Sequence, residues 1–234
     1  MKFFNHLLFL SLSMSLPVFL SAQETDTEGT QNIDELSEAT LTGMTQVYDK
    51  NYDDVTGGPF FYQTWLPGEV TLENGSTYRG TEVLYDVFND QVLVRNQASN
   101  KIQIIDKEMV KSFHLGNNTK ANMANFYKAA LMENDLPEVK DDQFVQVLYE
   151  GDGFLYAVNR KQMKNNAFTD LEADYFYVGP AGNVHKLKAD KKAILDTFSD
   201  KKEALAEYID GRDLDMRQRD DLVEAVMFYT TEVN

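Results

Sequence analysis

The chain has 234 residues, no cysteine and a formal net charge of −16 at pH 7. Without cysteine it carries no lipid-modified cysteine, disulfide, thiolate nucleophile or cysteine-ligated metal, so its stability comes from a packed core. The acidic balance opposes binding to nucleic acid and to anionic membrane surfaces, both of which depend on clustered Lys and Arg.

Lys2 precedes an apolar run from Phe3 to Leu20, and Ser21-Ala22 supplies small residues before Gln23. This is the layout of a secretory signal peptide over residues 1–22. A membrane anchor is the other reading, but Asn5, His6, Ser11, Ser13, Ser15 and Pro17 interrupt the run and an acidic tract follows it. Cleavage near Ala22 is therefore expected, with no transmembrane segment in the mature chain and the periplasm or the exterior as its destination. Lys2 is the only charged side chain removed, so the remaining 212 residues carry −17. Residues 23–43 read as an acidic, disordered lead. Between 23 and 40 they hold Glu24, Asp26, Glu28, Asp34, Glu35 and Glu38, with Ile33 and Leu36 as their only large apolar residues. That is too little apolar surface to offset chain entropy.

The expected fold class is α+β, mainly β: an antiparallel meander or partly closed barrel over 44–189, with short C-terminal helices over 190–234 packed on it. Apolar residues return from Met44 to Tyr48, and Gly57-Gly58-Pro59 breaks the chain before the aromatic group Phe60, Phe61, Tyr62 and Trp65. After Pro67-Gly68, Val70 and Leu72 alternate with Glu69 and Thr71 up to Asn74-Gly75, a strong hairpin signal because both residues tolerate positive φ. The return strand passes Gly80 as a candidate bulge, then places Val83, Tyr85 and Val87 on one face with Leu84 and Phe88 on the other, as a central strand does. Asn89-Asp90 turns into Val92, Leu93 and Val94, and Asn96 to Asn100 turns into Ile102, Ile104 and Ile105. A fifth strand follows over Val110 to Leu115.

Met123, Phe126, Tyr127, Ala130 and Leu131 have the spacing of an amphipathic helix, and a short strand at Asn125 to Ala129 is the competing reading. A hairpin then runs Val145, Val147, Tyr149, the turn at Glu150-Gly151-Asp152-Gly153, and Phe154, Tyr156, Val158. Residues 159–173 read as an exposed polar loop. Tyr175 to Val178 pairs with Val184 to Leu187 through Gly179-Pro180-Ala181-Gly182-Asn183. The period then lengthens to about 3.6. Ile194, Leu195 and Phe198 form one helical face, Ala204, Leu205, Tyr208 and Ile209 a second, and Leu222, Val223, Val226 and Tyr229 a third. Asp190 is placed to cap the first helix, and Asp200 with Glu203 and Asp215 with Gln218 resemble reciprocal caps.

Several segments together resemble a family of exported, uncharacterised proteins of Bacteroidota-type bacteria. They are Gly58-Pro59-Phe60, W-x-x-G-x-V-x-L from Trp65 to Leu72, the Asn74-Gly75 turn and L-Y-x-x-x-x-D from Leu84 to Asp90. F-x-x-V-L-Y-E-G from Phe144 to Gly151, Y-F-Y-V-G from Tyr175 to Gly179 and the closing helices over Lys191 to Tyr229 complete the set. The resemblance covers residues 44–230. It implies a bacterial, Sec-exported protein and favours a strand near Phe126; the family has no assigned activity, so it transfers no catalytic residue.

The chemistry-bearing residues are sparse. His114 and His185 fall on expected strands, and two histidines do not complete a zinc site. No G-x-S-x-G accompanies Ser112 and His114. Asp210, Asp213, Asp215, Asp220 and Asp221 lack the glycine and glutamate of a calcium loop and suit a helix N-terminus. Gly151-Asp152-Gly153 and Gly179 to Gly182 lack the strand-loop-helix setting and lysine of a phosphate loop and read as hairpin turns. Asn74-Gly75-Ser76 and Asn117-Asn118-Thr119 match the glycosylation acceptor, which a bacterial origin makes incidental. The aromatic group Phe60, Phe61, Tyr62 and Trp65 is the candidate contact surface, because dense aromatics beside a chain break line grooves and interfaces as well as pack cores. The expected function is a non-catalytic exported module that binds a protein, a glycan or an apolar ligand, with no metal or other cofactor. The alternatives are a carboxylate-based hydrolase and a structural envelope protein without a small ligand.

Overall fold

The computed structural model describes residues 30–31, 45–48, 52, 54–95, 102–116 and 123–231. The expected signal peptide over 1–22, most of the expected acidic lead, the expected Asn96–Asn100 turn and the Asn117–Thr119 acceptor match lie outside these residues. The strands are β1 (Thr30–Gln31), β2 (Thr45–Val47), β3 (Leu66–Leu72), β4 (Thr77–Asp86), β5 (Gln91–Arg95), β6 (Ile102–Ile105), β7 (Val110–Leu115), β8 (Ala124–Lys128), β9 (Phe144–Glu150), β10 (Phe154–Arg160), β11 (Met163–Lys164), β12 (Ala167–Phe168), β13 (Glu172–Val178) and β14 (Val184–Leu187). Three helices close the chain: α1 (Lys191–Thr197), α2 (Lys202–Gly211) and α3 (Arg219–Thr231). Among the described residues no helix is long and apolar enough to cross a membrane.

The large sheet has the order β14-β13-β10-β9-β8-β7-β3-β4-β5-β6-β2, with β1 parallel to β4. Along that order every neighbouring pair is antiparallel. The fold is thus α+β and mainly β, and of the two expected forms it is the open meander. β3 lies between β4 and β7, so β6 and β7 are four places apart in the sheet although only Asp106–Met109 joins them. Four strand spacings are about 19 Å. The five backbone steps from Ile105 to Val110 extend to roughly 17 Å at most, and the 3-10 turn over Lys107–Met109 shortens that further. The sheet must therefore curl. The concave face is identified by Tyr85 on β4 and Phe144 on β9, whose ring centroids are 6.0 Å apart across four strand places.

Inside the curl lies an aromatic core in which Phe126 stacks on Phe113 at 4.7 Å and meets Phe61 at 5.2 Å and Tyr85 at 5.0 Å. On the opposite face Leu84, Leu93 and Ile104 are covered by Tyr48, Phe60 and Trp65. Apolar residues on both faces of β4 require such a cover, for which the second hairpin block or the closing helices are the candidates from sequence, and the helices do not supply it. They pack instead on Leu155, Tyr177 and Leu187 of β10, β13 and β14. The other face of those strands is sealed by Leu136, Met132 and Val139 of the 129–143 connection.

Local chemistry explains the elements. At Asn74-Gly75 only Gly75 takes a positive φ, +88°, and its N–H donates to the Leu72 carbonyl at 3.0 Å. Asn74 serves through its side chain, accepting from the Ser76 N–H at 2.9 Å. The β3–β4 register shifts between Gly68 and Glu69 opposite Thr81 and Arg79, which makes Gly80 the bulged residue. Over 124–128 the strand replaces the helical reading: two neighbouring ladders, to β7 and β9, take up the backbone groups and override a short periodicity. Residues 159–173 are not one loop. β10 continues to Arg160, and β11 and β12 form a ribbon turned at Asn165 and Asn166, both at positive φ. That ribbon docks on the 54–58 segment, with the Phe168 N–H donating to the Thr56 carbonyl at 2.9 Å.

Asp190 caps α1 by accepting from the Ala193 N–H at 3.1 Å. Asp200 does not cap α2, because a 3-10 turn over Ser199–Lys201 runs directly into that helix; its carboxylate accepts from the Tyr229 hydroxyl instead. At α3 the reciprocal bond comes from Asp221, not Gln218, and reaches the Asp215 N–H at 2.8 Å.

Candidate functional site

The four aromatics adjacent in sequence do not meet as one surface. Residues 59–61 run alongside the end of β4, where the Phe61 N–H donates to the Tyr85 carbonyl at 2.9 Å and Phe60 bridges Asp86. Extended backbone sends successive side chains to opposite faces. Phe61 is accordingly buried in the concave core and Phe60 packs on the other face; the chain then bends over 61–64, so that Tyr62 lies edge-on against Phe61 at 4.7 Å and Trp65 joins Phe60. Trp65 is half-buried there beneath the Arg95 guanidinium, 5.0 Å from its ring. Of the four, Tyr62 borders a cavity at the start of α3.

That cavity, about 810 Å³, opens where the curled sheet meets the start of α3. It is lined by Tyr62 and Thr64, by Leu66 and Pro67 of β3 with Met123, and by Val147 and Leu148 of β9 with Val223 of α3. The β9–β10 register shifts between Leu155 and Tyr156, leaving Leu148 as the extra residue on β9. A bulge re-aims side chains, and here neighbouring Gln146, Val147 and Leu148 all reach the same cleft.

The polar centre is Gln146, only 6% exposed. Its Oε1 accepts from Asn159 Nδ2 at 3.0 Å and from Arg219 Nη1 at 3.2 Å. A guanidinium only donates, so Arg219 fixes which end of the carboxamide faces it. The Gln146 Nε2 is left on the cleft wall without a partner among the described residues. The Oδ1 of Asn159, whose Nδ2 donates to Gln146, is buried and unpartnered. Arg219 is held from the core side by the Phe61 ring, 5.6 Å from its Cζ, and opens α3, whose first turn carries Asp220 and Asp221. The cleft thus sets apolar side chains such as Leu66, Val147 and Val223 beside a polar lining that includes the fixed donors of Gln146 and Arg219, in a volume ordinary for a small-molecule pocket.

His114 on β7 and His185 on β14 are far apart in strand order. Burial lowers the His114 pKa; Glu69 opposes that shift and Arg79 adds to it. His185 meets Asn183 at 2.7 Å. Among the described residues no group of three or more His, Asp or Glu is placed to hold a metal. Sequence reasoning missed Gln146 and Arg219. They are 73 residues apart, and neither stands in a motif. Compared with protein-family models, curated proteins and solved structures, the chain matches none.

Proposed function

We propose that the protein is an exported, non-catalytic binding module, and that its ligand is an apolar molecule carrying a hydrogen-bond acceptor, seated in the cleft beneath Tyr62. The observation that carries this reading is the Gln146 carboxamide on the cleft wall, with Oε1 engaged and Nε2 without a partner among the described residues. A carboxamide N–H held in place on a cleft wall, with its oxygen already engaged, is open to an acceptor supplied by a ligand. Carboxamide and guanidinium do not exchange protons near neutral pH, which suits recognition better than acid–base chemistry. Among the described residues the wall holds one carboxylate, Asp220, whereas glycoside hydrolysis by a carboxylate pair uses two. Export rests on the signal-like segment ending at Ala22 and is checked by N-terminal sequencing of protein recovered outside the cytoplasm, expected to begin at Gln23.

The ligand reading is tested with anilinonaphthalene sulfonate as reporter and decanoate as competitor. The protein is expected to enhance the dye's fluorescence and decanoate to displace it. Gln146→Leu and Arg219→Met are each expected to weaken decanoate by roughly tenfold, the scale of one lost hydrogen bond to a charged group. Absence of displacement, or unchanged affinity in both variants, contradicts the proposal.

A further inference from the structure

A second cavity, of about 580 Å³, lies where the Gly151–Gly153 and Gly179–Gly182 turns meet the start of α2 and the end of α3. Tyr177 of β13 lies in its wall, 3% exposed, its ring held edge-on by Phe198 at 5.1 Å and Tyr229 at 5.9 Å. The neighbouring hydroxyls are engaged: Tyr149 accepts from Thr230 Oγ1 at 2.8 Å, and Tyr229 donates to Asp200 at 3.2 Å. The Tyr177 hydroxyl has no hydrogen-bond partner among the described residues. It stands 2.8 Å from where a Cβ on Gly153 would be, so the missing side chain at that turn leaves it open to the cavity. Burial, then the nearby Tyr229, Tyr149, Asp200 and Asp152, push its pKa up to about 12, so the proton stays on the oxygen at neutral pH.

The wall has charge of both signs. Glu133, Asp152 and Asp200 supply carboxylates; Lys201, whose Nζ donates to the Tyr229 carbonyl at 3.2 Å and lies 5.1 Å from that ring, supplies a fixed cation. An anionic ligand meets the carboxylates and a cationic one meets Lys201, whereas a neutral polyhydroxylated ligand uses both as acceptor and donor. Phe154 adds an apolar plate, backed in parallel by Tyr156 at 5.8 Å. We propose that this second cavity is a saccharide site, in which sugar hydroxyls donate to Asp152 and Asp200, a sugar oxygen accepts from Tyr177, and a C–H face lies on Phe154. The proposal is independent of the cleft beneath Tyr62.

The test is calorimetric titration of the whole protein with maltohexaose, cellohexaose and chitohexaose. At least one is expected to bind, and Tyr177→Phe and Asp200→Asn are each expected to weaken it by roughly tenfold, the size of one hydrogen bond. Should a variant fold poorly, the parent alone decides: the Gly151, Gly153 and Gly182 amide resonances are expected to shift on titration with the bound sugar. Lack of binding by all three sugars, equal affinity in both folded variants, or shifts confined to other residues overturns the proposal.

Discussion

Lys128 brings its ammonium into a nearly closed site, 8% exposed, where it donates to Glu73 Oε1 at 2.9 Å and to the Glu108 carbonyl at 2.8 Å. Its partner is not similarly enclosed, since the Glu73 side chain is 41% exposed. The two halves of the pair should therefore respond unequally to substitution. Glu73→Ala leaves a buried ammonium with a single carbonyl and is expected to cost about 1–3 kcal/mol. Lys128→Met keeps the stem volume and returns Glu73 to water, and is expected to cost less than about 1 kcal/mol. Urea denaturation of both variants checks the order, and a larger loss for Lys128→Met contradicts it. None of this was legible beforehand. Lys128 and Glu73 are 55 residues apart, and a lysine on an apolar strand gives no sign of what it meets.

The elements were read better than their partners. The Asn74-Gly75 and Gly151–Gly153 hairpins, the β7 strand over Val110–Leu115 and the Asp190 cap rest on local chemistry, so the residues that make them are neighbours in sequence. Failures came where tertiary pairing outweighed local period. Phe126 satisfies a helical spacing, yet its strand is clamped between β7 and β9 and its ring lies at the centre of the aromatic core. Phe126→Ala is accordingly expected to cost about 3–5 kcal/mol, against a much smaller loss for Phe126→Leu. Denaturant midpoints measure both, and a loss below 1 kcal/mol for the alanine variant means the core is not organised around this ring. The split of Phe60 from Phe61 has a similar origin, since adjacency in sequence becomes opposition across an extended segment, and the bends over 61–64 then return Tyr62 to the side of Phe61 and Trp65 to that of Phe60.

At the scale of the molecule, composition and period indicated a mainly antiparallel sheet with closing helices. They did not indicate the insertion of β3 between β4 and β7, the resulting curl, or which strands the helices cover. Those features create the cleft: the curl brings Tyr62 and β3 to the same cavity as β9, whose Leu148 bulge lies in its lining, and α3 places Arg219 against Gln146. Two-dimensional NMR during titration with decanoate addresses the binding reading most directly, because the Gln146 side-chain amide reports on the unpartnered Nε2 itself. The expected result is a saturating shift of that resonance together with the backbone amides of Tyr62, Met123, Val147 and Val223. A Gln146 side-chain resonance that stays fixed while decanoate binds elsewhere, or does not bind, contradicts the proposed function.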